Sequence, residues 1–275
     1  MAVAPFAHSI APLAPLTPRK PRAHRAPRAL RVAVPAALAA ALLFVAGCAP
    51  EPEQKPERSS PATATPTPPS EQPAAPDPQA NADLAAAVAA NDGEAVRSAI
   101  ERGADIELRG EGGMTPVVAA TKANAVAAAT ALIEAGADVN AKDDMQDSAY
   151  LYAGAEGYDE ILALTLSHGA DLSSTNRYGG TALIPAGEHG HVEVTRMLLT
   201  AGVDPNHVND LGWTALQEAV ILGSDGAEHQ ETVRLLLAGG ADPNLRDGSG
   251  VTPLANAQAR GYWALAELIR AAGGV

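Results

Sequence analysis

From about residue 83 onward, short apolar stretches come in pairs, separated by polar turns rich in glycine. Residues 181–206 show the pattern most plainly. Thr181 precedes an apolar run, Ala182–His189, which Gly190 interrupts. A second run spans Val192–Ala201, with Leu198 and Leu199 on its packing face, and Gly202 follows. A hydroxyl side chain just before an apolar run is suited to cap a helix N-terminus. A glycine just after one is suited to the left-handed conformation that ends a helix. The pattern therefore predicts a short inner helix, a longer outer helix, and a turn shaped by Asp204 and Asn206 that leads into a hairpin-like finger. Pro116 and Pro253 directly follow hydroxyl residues. They fall at the first helical position, where a missing N–H costs nothing. Pro185 falls inside its inner helix and is expected to kink or shorten it.

The unit recurs along the chain. Gly103-Ala-Asp105, Gly136-Ala-Asp138, Gly169-Ala-Asp171, Gly202-Val-Asp204 and Gly240-Ala-Asp242 are spaced by 33, 33, 33 and 38 residues. The hydroxyl residues Thr115, Ser148, Thr181, Thr214 and Thr252 repeat the same intervals. Two independent landmarks share one period and one exception. A single unit cannot bury its apolar side alone, so neighbours must stack. Small residues such as Ala119, Ala153, Ala186 and Ala219 would let the inner helices approach. The long interval places five extra residues, Ser224–Glu228 (SDGAE), between two helices, as a polar solvated loop or a contact loop. It also sets His229 at the position of His191.

GADVN (136–140), GHVEVTRMLL (190–199), GWTAL (212–216), VRLLLAGGADPN (233–244) and GVTPL (250–254) resemble the ankyrin repeat. The resemblance spans about Asp83 to Gly274. It implies an all-α solenoid, each repeat holding two antiparallel helices and a finger. The expected divisions are an opening repeat at 81–109, repeats at 110–142, 143–175, 176–208 and 209–246, and a terminal repeat at 247–275. The opening repeat would hold helices at Leu84–Ala90 and Glu94–Arg102. The histidine that such repeats often carry in TPLHxAA is absent here. The equivalents are TPVVAAT (115–121), SAYLYAG (148–154), TALIPAG (181–187), TALQEAV (214–220) and TPLANAQ (252–258).

The first 80 residues have a different composition. Six Lys and Arg and no Asp or Glu precede residue 48, ahead of the apolar run VAVPAALAAALLFVAG (32–47). This reads as a secretory signal over 1–47. VAGC, ending at the chain's single cysteine, Cys48, resembles the lipobox of bacterial lipoproteins. The resemblance implies cleavage before Cys48 and lipid attachment to it. Residues 49–80 hold ten prolines and no aromatic residue, which suits an extended tether. The expected location is therefore extracytoplasmic and membrane-anchored, on the outer face of the cell membrane or the periplasmic side of an outer membrane. Without residues 1–47, 13 Lys and Arg face 32 Asp and Glu, a formal charge of −19. Nucleic-acid binding needs basic surface and is not expected. Neither is polybasic docking to lipid, so contact with a membrane would be through the lipid anchor only.

Glu188, His189 and His191 cluster within four residues. His191 follows the inter-helix glycine, where the repeat family commonly uses histidine to bond an adjoining turn. A zinc site needs three or four ligands, and no second cluster is placed to complete one. No nucleophile elbow or phosphate-binding glycine loop is present either. The chain is read as non-enzymatic, with no cofactor or metal, and as a monomer binding an unidentified protein. In the repeat family, fingers and inner helices line a concave groove that takes protein partners. On that basis the candidate binding residues are Asn176, Arg177, Tyr178, Asn209, Asp210 and Trp213 from adjacent fingers, with Glu156, Glu188, His189 and Glu218 from inner helices. Tyr178 and Trp213 stand out in a chain with 3% aromatic residues, since aromatic and arginine side chains are enriched at binding hot spots. Structural packing between fingers is the competing role for both. Tyr150 and Tyr152 belong either to the core or to the groove. Fold and compartment suggest support of an exported catalase or immunity to a secreted toxin. The alternatives are a small-molecule, metal or catalytic groove around Glu156, Glu188 and His189, or a structural envelope spacer.

Overall fold

The computed structural model describes residues 78–275. The secretory signal, Cys48 and nearly all of the proline-rich stretch lie outside the described residues. Twelve helices follow in six pairs: α1 (Pro78–Ala89) and α2 (Gly93–Glu101), α3 (Pro116–Lys122) and α4 (Val126–Glu134), α5 (Ala149–Glu156) and α6 (Asp159–Ser167), α7 (Leu183–His189) and α8 (Val192–Ala201), α9 (Ala215–Ile221) and α10 (Ala227–Ala238), α11 (Pro253–Arg260) and α12 (Trp263–Ala271). Odd-numbered helices pack on odd ones, forming an inner layer, and even-numbered helices form an outer layer. No strand is present among the described residues. The fold is the expected all-α repeat solenoid.

The core runs between the two layers. Ala120, Ala153, Ala186, Ala219 and Ala257 are all fully buried at one repeating position of the inner helices. The first of that row is Ala120; the expected Ala119 lies one residue off it and is half-buried. Gly187 lets α7 and α9 approach closely. A Cβ there would come within 2.7 Å of the Ala215 carbonyl oxygen. Leu198 is buried, and Leu199 is half-buried under Gly239. The predicted outer helix 192–201 is reproduced, and Gly202 ends it at φ 97°. The first helix starts at Pro78, six residues earlier than the sequence suggests. Its early turn is fixed by burial of Ala80 and by Asn81, whose Oδ1 accepts from the Asp105 N–H at 2.7 Å.

Helix starts follow the capping rule in part. Ser148, Thr214 and Thr252 accept a backbone hydrogen bond at their hydroxyls. Thr115 and Thr181 do not, and both hydroxyls are buried without a partner. At Thr181 the cause is Pro185. In the neighbouring repeats the residue four positions on donates its N–H to the cap carbonyl, as Tyr152 does to Ser148 and Glu218 to Thr214. Pro185 has no N–H, so the Ile184 N–H takes the Thr181 carbonyl instead, at 3.1 Å. That uses the donor which the Thr181 hydroxyl would otherwise hold. The helix begins one residue late, at Leu183, so Pro185 sits in its first turn and shortens it.

Each finger is closed in the same way. Backbone bonds join Gly110 to Met114, Asp143 to Asp147, Asn176 to Gly180, Asn209 to Trp213 and Asp247 to Val251. In the last four fingers the opening Asp or Asn also accepts two N–H groups of its own tip at its Oδ1. On the other side of the solenoid, asparagines cross from repeat to repeat. Asn140 bonds Gly169 and Asp171, and Asn206 bonds Gly240 and Asp242. Ser173 stands at the intervening position, and its hydroxyl turns back to its own Asp171.

The five extra residues do not form a free loop. Ala227 and Glu228 form the start of α10, which is 12 residues long against 10 in α8. Asp225 accepts the Ala264 and Leu265 N–H groups at 3.1 and 2.9 Å, capping the outer helix of the next repeat. The insertion therefore builds a brace between two repeats.

Candidate groove pocket

Fingers and inner helices of three consecutive repeats enclose a pocket of about 300 Å³. α5 contributes Tyr152 and Glu156, α7 contributes Ile184, Pro185, Glu188 and His189, and α9 contributes Glu218. The fingers add Asp147, Asn176, Arg177, Tyr178, Gly180, Asn209 and Leu211, and Leu222 closes one side. Eight of the ten residues chosen from the sequence line this one space: Glu156, Asn176, Arg177, Tyr178, Glu188, His189, Asn209 and Glu218.

Asp210 and Trp213 do not line it. Asp210 is exposed, with its carboxylate beside Gly179 of the preceding finger, and its N–H donates to the Tyr178 carbonyl at 3.0 Å. Trp213 is half-buried at the base of the finger, where its N–H donates to Asn209 Oδ1 at 3.0 Å. The tip residue next to Tyr178 is Leu211, 33 positions on, and it is 55% exposed. The repeat period contained that signal; choosing by aromatic character passed over it. Tyr150 and Tyr152 separate cleanly. Tyr150 is fully buried, and burial pushes its phenol up, whereas Tyr152 is half-buried at the pocket wall.

The asparagines have structural duties. Asn176 Oδ1 holds the Tyr178 and Gly180 N–H groups, and Asn209 Oδ1 holds those of Leu211 and Trp213. Asn209 has a second role, donating its Nδ2 to Glu218 Oε1 at 2.8 Å. Glu218 is 5% exposed and accepts no other hydrogen bond. Burial pushes its carboxyl up to about 7, the nearby Glu188 adds to the rise, and the Asn209 bond opposes it.

Arg177, in the pocket lining, and Lys122, outside it, both reach the pocket's Asp147. The Arg177 guanidinium lies 4.7 Å from the centre of the Tyr178 ring, and Nη1 is 3.9 Å from Asp147 Oδ1. Lys122 Nζ contacts Asp143 at 2.6 Å and Asp147 at 3.0 Å, and lies 5.2 Å from the Tyr152 ring centre. Burial alone would raise the Asp143 carboxyl. The Lys122 ammonium and the tip N–H groups outweigh it, and the carboxyl is held below its ordinary value.

His189 and His191 have ring centres 5.5 Å apart. His191 bonds the Ala155 backbone, and burial, reinforced by the His189 ring, holds its imidazole below the ordinary value. His229 makes the matching bond one repeat on, from Nε2 to the Glu188 carbonyl at 2.8 Å. Both rings lie against a left-handed glycine, Gly157 and Gly190, where a Cβ would strike them at 2.7 and 3.0 Å. These histidines are framework. Among the described residues, no three His, Cys, Asp or Glu side chains are grouped to hold a metal ion. No helix among them is long and apolar enough to cross a membrane.

Comparison with known proteins agrees with this architecture. A family model described as ankyrin repeats (three copies) matches residues 149–247, and a single ankyrin-repeat model matches 112–144. No curated protein matches the chain. Among solved structures, an ankyrin repeat domain from Acinetobacter baumannii AYE is 56% identical, with a TM-score of 0.68, covering 70% of this chain and 98% of that one. The ankyrin repeat protein EF0377 is 39% identical, with a TM-score of 0.66, covering 69% and 97%. The ankyrin repeat domain of Bcl-3, a member of the IkappaB family, is 26% identical, with a TM-score of 0.63, covering 70% and 86%.

Proposed function

The chain belongs to the ankyrin-repeat family, and from that premise we propose that its repeat domain is a non-catalytic module that binds another protein in the pocket at α5, α7 and α9. The family is a general scaffold for protein–protein interaction. One observation carries the assignment to this pocket: three neighbouring repeats turn finger and inner-helix side chains into one concavity rimmed by exposed Tyr178 and Leu211. An exposed tyrosine beside an arginine, as at Tyr178 and Arg177, is the composition of a binding hot spot.

We further propose that the module is a monomer held at a membrane through lipidated Cys48, on the extracytoplasmic side. The support is in the sequence: a basic stretch, an apolar run and VAGC, followed by a proline-rich tether. The roles considered for such a module are support of an exported catalase and immunity to a secreted toxin. A gene for either product beside this one would separate them.

The test is a crosslinking capture from the host envelope with the wild-type protein and a Tyr178→Glu, Leu211→Glu variant of equal helicity. A partner held by the first and lost by the second is expected. Equal recovery by both would clear the pocket of this role, and absence of any specific partner would favour a structural spacer. Cys48→Ser tests the anchor separately: the protein should move from the membrane to the soluble fraction.

A further inference from the structure

We propose that the partner presents an extended segment that inserts an arginine or lysine side chain beside Glu188 and Glu218 and lays apolar side chains over Met145, Tyr178 and Leu211. This rests on the protein-binding reading above and names the chemistry of the guest.

The apolar half of the argument lies at the fingertips. Met145, Tyr178 and Leu211 occupy one position in three consecutive fingers, 33 residues apart. They are 51%, 51% and 55% exposed. The fingers on either side carry Gly112 and Ser249 at that position, so the apolar row stops at both ends. Singly exposed apolar residues need no explanation, but an ordered row with defined ends marks an interaction surface. Stacked helices stand about 8–10 Å apart, and a chain extended as polyproline II advances about 3.1 Å per residue with three residues per turn, which keeps every third side chain on one face. Every third residue of an extended guest would therefore meet the next tip.

The charged half lies on the floor. Asp147, Glu156, Glu188 and Glu218 line the pocket, and Arg177 is its single lysine or arginine. Arg177 is already engaged with the Tyr178 ring and Asp147. Glu218 adds an observation independent of the charge count. It is a buried carboxylate with one hydrogen-bond donor, Asn209, and it opens onto the pocket. A buried charge is stable only when paired and hydrogen-bonded. The corresponding acid–amide pair of the next repeat is complete: Asp247 accepts from Ser249, Val251 and Asn256. The donors that Glu218 lacks are those of a guanidinium, with five N–H groups, or an ammonium, with three. Such a guest favours the ionised carboxylate, so its arrival should expel the proton that Glu218 holds near neutral pH.

Peptide display against the purified protein at pH 8 supplies the probes, and titration calorimetry at pH 6.5, where Glu218 still holds its proton, in two buffers of different ionisation enthalpy supplies the readout. Selected peptides should carry Arg or Lys with apolar residues three positions apart. Replacing the arginine by citrulline, which keeps its shape and removes its charge, should weaken binding about 10-fold or more. Glu218→Gln should cause a comparable loss, make the citrulline exchange nearly silent, and abolish proton release. Glu188→Gln is the second variant, should Glu218→Gln alter folding. Uncharged peptides that depend on Tyr178 would overturn the proposal while leaving the groove as a protein-binding site. Peptides indifferent to Tyr178→Glu, or no selected peptide at all, would overturn both.

Discussion

The fourth and fifth fingers hold the same two side-chain chemistries in opposite order. In one, the finger supplies the amide and the inner helix the acid: Asn209 Nδ2 donates to Glu218 at 2.8 Å. In the next, the finger supplies the acid and the helix the amide: Asn256 Nδ2 donates to Asp247 at 2.9 Å. The exchange changes the electrostatics completely. Asp247 stands where a finger tip offers two backbone N–H groups, and with Asn256 these hold its carboxyl below the ordinary value against the effect of burial. Glu218 stands in the wall of α9, out of reach of any tip N–H, and its carboxyl rises to about 7. Position within the repeat, rather than residue type, decides which acid is structural and which is poised.

The strongest disturbance of that contrast should come from Gly187→Val. The new side chain would meet the Ala215 backbone, forcing α7 from α9 and opening the site around Glu218. Overpacking of this kind costs about 1–3 kcal/mol, here at the upper end because backbone cannot rotate aside; urea unfolding measures it. Asp247→Ala should come next, with a loss of about 2 kcal/mol as three donors lose their acceptor. Asp247→Asn should cost less, since it keeps an oxygen for the tip.

Glu218→Gln should act in the opposite direction, and only above acid pH. The folded carboxyl titrates near 7 and the unfolded one near 4.5. Between these values the folded state binds more protons, so stability falls as pH rises through the window. Glutamine removes that dependence. The variant should match wild type at pH 4 and exceed it by roughly 1–2 kcal/mol at pH 8, after allowance for solvent screening. A melting temperature measured at both values checks the sign. Glu188→Gln should have the smallest effect, a few tenths of a kcal/mol. It should lower the Glu218 midpoint, followed by NMR, without restoring it to 4.5, because burial is the larger cause.

Much of the fold was legible because local chemistry dictates it. Glycine at φ 97° after α8 and a hydroxyl before α5, α9 or α11 are demands of one turn, visible in one window. The period supplied the stacking. What escaped depends on partners far along the chain. Asp225 looks like a loop acid until α12, 39 residues away, places two N–H groups on it. Ala80 looks like part of a proline-rich stretch until it is seen to be buried. Trp213 drew attention as a rare aromatic, yet the register that yields Tyr178 yields Leu211. The acid wall was readable as a set of inner-helix positions. Which acid is buried, and with how many donors, was not, because that depends on how closely Gly187 lets two helices approach.

The asparagine crossings give the solenoid an uneven stiffness. A chain of stacked repeats behaves as a spring whose compliance is set at each junction. The junctions crossed by Asn140 and Asn206 carry two bonds each, and the junction at Ser173 carries none from that position. That softest coil lies between α5 and α7, so flexing there changes the aperture between Glu156 on one side and Glu188 on the other. The grip of the groove would then be tuned from its back: Ser173→Asn should slow amide exchange at Asp204 and stiffen an opening that the residue never touches.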